Sequence, residues 1–84
     1  MRHAGAVALD AIEPMLIELR RLEGIRERSR GVFYRKNSAF LHFHEDPAGI
    51  FVDLRTDSEW LRLPVNKSSE RRQLVRLVRE LLSN

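Results

Sequence analysis

Apolar residues recur along the chain with two different periods, and the change of period marks where helix gives way to sheet. Between Ile12 and Leu22, the residues Ile12, Met15, Leu16, Leu19 and Leu22 are spaced by threes and fours, which stacks them along one side of an α-helix. Pro14 lacks an N–H and crowds the preceding turn, so it belongs in the first turn of that helix. Gly24 reads as a C-terminal stop, and Arg20 and Arg21 suit the negative pole of the helix dipole. The alanine-rich residues before the helix add at most a loose turn, so residues 1–9 are expected to form a loose N-terminal arm. Residues 25–30 are polar, keep no clean period and read as a connection.

From Gly31 onward the period becomes two. Val32, Phe33 and Tyr34 favour a strand, and Arg35 to Ser38 form the loop of a hairpin. Ala39 to Glu45 then alternates, with Ala39, Leu41 and Phe43 on one side and Phe40, His42 and His44 on the other. Asp46-Pro47-Ala48-Gly49 is a strong turn, and Ile50 to Arg55 alternates again. A turn of that length sets Glu45 opposite Ile50, His44 opposite Phe51, Phe43 opposite Val52 and His42 opposite Asp53. Leu41, Phe43, Ile50, Val52 and Leu54 then share the face that helices can cover.

Glu59 to Val65 predicts a short fourth strand, and Pro64 places it at an edge. Asn66 to Ser69 starts a second helix, with Glu70 at its positive pole. Leu74, Val75, Leu77, Val78, Leu81 and Leu82 supply its buried side. The expected fold class is α+β: an antiparallel meander of three to four strands with two helices packed on one face, in the order αβββ(β)α. One domain is expected over residues 1–84.

Composition narrows the class. With 43% hydrophobic and 32% charged residues, the chain is too apolar to be disordered. The absence of cysteine excludes disulfides and thiolate metal sites, and it fits a reducing cytoplasm. No stretch approaches the ~20 apolar residues that span a bilayer, so no membrane partner is expected. The formal charge is +3 and the cations are nearly all arginine, with Lys36 and Lys67 the only lysines. That charge permits contact with nucleic acid without demanding it. Neither a glycine-rich phosphate loop nor a nucleophile elbow is present, so no cofactor is expected and the reading leans away from an enzyme.

Candidate chemistry gathers on the sheet face opposite the helices, at Phe40, His42, His44, Phe51, Asp53 and Arg55. Its aromatic rings and cations suit stacking and backbone contact with single-stranded nucleic acid, which is the favoured ligand class. Phe40-Leu41-His42-Phe43-His44 sets two imidazoles on one strand face ~7 Å apart, with Asp53 across from His42. His42, His44 and Asp53 are therefore the candidate metal ligands of an alternative metal-binding or hydrolytic, RNase-like site, in which Asp53 orients His42. A third alternative is a protein-interaction face, in a monomer or a homodimer. Against all three stands the bland reading, a structural His42–Asp53 pair. On the C-terminal helix, Arg72, Arg76 and Arg79 line one stripe and are candidate phosphate contacts, or else a solvated flank.

Leu19 to Glu27, followed by Gly31-Val32-Phe33 and Ala39-Phe40-Leu41-His42-Phe43-His44, resembles the MmcQ/YjbR-like proteins. That resemblance implies part of a double-wing fold and a presumed DNA-binding role, but no catalytic residue. Glu23 stands where that family carries a proline, and the chain lacks its later strand and remaining length. The stretch Phe40-Leu41-His42-Phe43-His44-Glu45-Asp46-Pro47-Ala48-Gly49 also resembles a group of small uncharacterised bacterial proteins. The element order is similar to that of small αβββα toxins that cleave RNA with a strand histidine, although their Gly-Ser-His-His signature is missing.

Overall fold

The structure, a computed structural model, describes residues 1–83. Among them are three helices and a six-stranded antiparallel sheet. The elements run β1 (Arg2–His3), α1 (Ala6–Ala11), α2 (Glu13–Arg20), β2 (Arg26–Ser29), β3 (Val32–Arg35), β4 (Ser38–Asp46), β5 (Gly49–Arg55), β6 (Trp60–Pro64) and α3 (Ser68–Leu82). The sheet order is β2-β3-β4-β5-β6, a meander, with β1 added to β4 beyond the end of β3. The fold is thus the expected α+β meander with helices on one face.

The β4–β5 register follows from the turn chemistry. Asp46 Oδ1 accepts the Ala48 N–H, which closes the turn around Pro47. His42 then lies opposite Asp53, Phe43 opposite Val52 and His44 opposite Phe51. β6 sits at the sheet edge and ends at Pro64, where the missing N–H costs no ladder bond. Glu70 draws α3 into place by accepting the backbone N–H groups of Asn66 and Lys67, and these hold its carboxyl below the usual range.

One core cluster lies between the sheet and the helices. Ile12, Leu16 and Leu19 from the N-terminal helices meet Phe33, Leu41, Phe43, Val52 and Leu54 from the sheet and Leu74 and Val78 from α3. Burying a side chain of this size stabilises by about 1.5–3 kcal/mol each before the entropy of ordering is subtracted. No helix among the described residues is long and apolar enough to cross a membrane.

Three expectations change. Residues 1–9 are not a loose arm: Arg2 and His3 pair with Glu45 and His44, and α1 buries Ala8 and Leu9. The reason is Gly31, which is buried at φ 80° and leaves the room that Leu9 fills; a Cβ there would lie 2.7 Å from Leu9 Cδ2. Secondly, the polar residues 26–29 form strand β2. Glu27 accepts both the Arg20 guanidinium and the Gly31 N–H, so tertiary bonds replace the missing apolar pattern.

The third change concerns β4. Phe33 faces Leu41 while Tyr34 faces Ala39, so β4 carries one extra residue, a bulge at Phe40. The bulge breaks strict alternation, and Phe40 turns into the core with 3% exposure. It therefore leaves the open face on which alternation placed it.

Candidate functional site

The open face is assembled from four neighbouring strands. β4 supplies His42 and His44, β5 supplies Phe51 and Asp53, β6 supplies Trp60 and Arg62, and β1 brings His3 beside His44. All three histidines of the chain therefore meet in one place. One ring nitrogen from each of His3, His42 and His44 lies within 4.8 Å of the others. The His3 ring stacks on His44 with centroids 5.1 Å apart, and the His42 ring meets His44 edge-on at 4.6 Å. Trp60 closes the other side of His42 at 5.2 Å.

Asp53 is clamped before it reaches any histidine. Arg62 Nε donates to Asp53 Oδ1 at 2.7 Å and Arg62 Nη2 to Oδ2 at 2.8 Å, a bidentate pair. These bonds hold the Asp53 carboxyl below its ordinary range. The same Oδ2 lies 3.1 Å from His44 Nε2, so the carboxylate touches His44 and not its cross-strand neighbour His42. The expectation that Asp53 orients His42 is corrected by that diagonal contact.

The contact also sets a tautomer. A bare His44 Nε2 facing a carboxylate oxygen would oppose two lone pairs, so Nε2 carries the proton and donates it toward Asp53. His42 Nδ1, 2.7 Å from the same nitrogen, is then a second acceptor of that one shared N–H. His44 Nδ1, on the other side of the ring, is buried and has no hydrogen-bond partner among the described residues. Burial, with His44 beside it, pushes the His42 imidazole below its ordinary pKa.

The sequence-predicted candidates divide. His42, His44 and Asp53 do come together, Phe51 lies half-buried on the same face, and Arg55 stands at its far end with its guanidinium 5.6 Å from the Trp60 ring. Phe40 is in the core. Arg72, Arg76 and Arg79 are exposed on α3, which covers the opposite face of the sheet, so they do not extend this site. The neighbouring Arg71 is structural, donating to the carbonyls of Val65 and Ala11.

His3 and Arg62 lie outside the set that the sequence predicts. A count of histidines would have raised His3, but only its pairing through β1 brings it to the others. Arg62 follows from alternation along β6 once that strand is registered against Asp53. Comparison with known protein families, with curated proteins and with solved structures finds no match to this chain.

Proposed function

We propose that this chain is a metal-binding module in which His3, His42 and His44 hold one divalent transition-metal ion of the zinc class. The observation that carries the reading is the convergence of every histidine in the chain within 4.8 Å. Zinc bonded to imidazole nitrogens at ~2.0–2.1 Å needs those nitrogens about 3.3 Å apart in a tetrahedral set. Closing the set to that spacing requires the rings to turn toward one another, and His3, exposed on β1, is the least enclosed of the three.

The donor chemistry supports the same class. Neutral imidazoles suit zinc, nickel and copper, while magnesium and calcium require oxygen ligands. Asp53 fits the role of an outer carboxylate that orients a ligand histidine, and Arg62 balances its charge. Three nitrogen ligands leave a coordination position for water or a ligand.

The test is calorimetric titration of untagged, chelator-treated protein with zinc chloride, repeated with His3→Ala, His42→Ala and His44→Ala. The reading expects one ion per chain and a loss of at least tenfold in affinity for each substitution. A His3→Ala protein that binds zinc as the parent does would overturn it, because His3 completes the set.

A further inference from the structure

A second feature of the open side lies beyond the histidines, where β2 and the β3–β4 hairpin loop enclose a cleft of about 420 Å³. Arg26, Arg28, Tyr34, Lys36 and Asn37 line it, and no carboxylate does. None of its three cations forms an ion pair among the described residues. The one acid between them in sequence, Glu27, is occupied by Arg20 and the Gly31 N–H. Three like charges thus share a concavity without a counter-charge, an arrangement that an anion relieves.

Two details argue that this concavity is built. The Arg28 guanidinium lies 4.5 Å from the centre of the Tyr34 ring, which restrains a side chain otherwise free in solvent. Lys36 takes φ 58° in the two-residue loop between β3 and β4, a conformation that glycine or asparagine adopts more readily. Asn37, the next residue, would tolerate that position, yet the left-handed conformation falls on the lysine, which lines the cleft. Such strain points to a role for the side chain it presents.

Tyr34 also borders the adjoining groove, of about 490 Å³, which continues to His3 and His42. A phosphate held among Arg26, Arg28 and Lys36 would therefore have the Tyr34 ring beside it for a base to lie against. We propose that this cleft binds the phosphate of a nucleotide, whether free or within a single strand. The phosphate contacts, Arg26, Arg28 and Lys36, are not among the residues of the metal reading, so the proposal stands or falls separately from it.

The experiment uses chelator-treated protein, so that metal plays no part. Fluorescence anisotropy of a labelled oligothymidylate is followed at increasing salt, with adenosine monophosphate as competitor. Saturable binding that weakens with salt is expected. Arg28→Ala and Lys36→Gly should each lower affinity about tenfold and reduce the salt slope by about one. Lys36→Gly also relieves the positive φ, so its loss of binding cannot be assigned to misfolding. Competition by the mononucleotide identifies free nucleotide as a sufficient source of the phosphate, and binding of the oligonucleotide alone assigns it to a strand. Absence of saturable binding for both probes overturns the proposal. So does an affinity unchanged by Arg28→Ala and Lys36→Gly, or one lowered equally by Arg72→Ala on the opposite face.

Discussion

On the helix-covered side of the sheet, β4 and β5 bury Leu41, Phe43, Val52 and Leu54 almost completely, whereas on the other side the same strands hold His42, His44 and Asp53 only half-buried. Along each strand the residues alternate between an apolar core and a hydrogen-bonded polar set. The covered face draws its stability from removing apolar area from water. The open face has a different economy: each polar group there needs a partner, and Arg62, Asp53 and His44 satisfy one another until His44 Nδ1 is left over. Stability and candidate chemistry are therefore separated by the thickness of one sheet, so that substitutions can test them independently.

Phe40 gives the sharpest break. Simple alternation would put it on the open face, where removal of its ring would be nearly neutral. Buried at the bulge, Phe40→Ala should destabilise by about 3–5 kcal/mol in urea unfolding. A change below 1 kcal/mol would return Phe40 to the open side. Next in size is the effect of metal on the open face. At a hundredfold excess over its dissociation constant, zinc should stabilise the parent by about 2.7 kcal/mol and His44→Ala far less. Thermal unfolding with and without zinc measures this, and equal stabilisation of both proteins would argue that the ion binds elsewhere.

A smaller effect separates ligand from support. Asp53→Asn leaves all three imidazoles in place but weakens the hold on the His44 tautomer, so zinc affinity should fall about 10–100-fold. Loss of binding altogether would make Asp53 a ligand. The smallest effect lies outside both faces, where Glu13 pairs with Arg20 at the other end of α2 and with Arg30 beyond it. Its hydrogen bonds to Arg20 and then Arg30 lower its pKa from 4.5 to about 2. The unfolded chain thus binds more protons in that window. The Glu13 contribution is present above pH 4.5 and lost as pH falls toward 2. Acid unfolding of Glu13→Gln should lack that part of the slope, and a profile identical to the parent would show that the pair adds nothing.

Much of the covered face was legible in the amino-acid order. The threes and fours from Ile12 to Leu22 and from Leu74 to Leu82, the alternation in β4 and β5, and the Asp46-Pro47-Ala48-Gly49 turn are local signals. Together they set α2, α3, the meander and the His42–Asp53 register. Local geometry suffices because period and turn chemistry each determine where the next side chain points. Legibility failed where a residue's role comes from a distant partner. β2 is a strand because Glu27 is held by Arg20 and Gly31, and Phe40 is core because Leu41 pairs with Phe33 while Ala39 pairs with Tyr34. His3 reaches the candidate metal site because β1 adds to β4 about 40 residues away in the chain. Those contacts depend on long-range packing and backbone pairing, which have no periodic trace in the residues themselves. Two of the three histidines could be placed by counting along a strand, and the third required the folded chain.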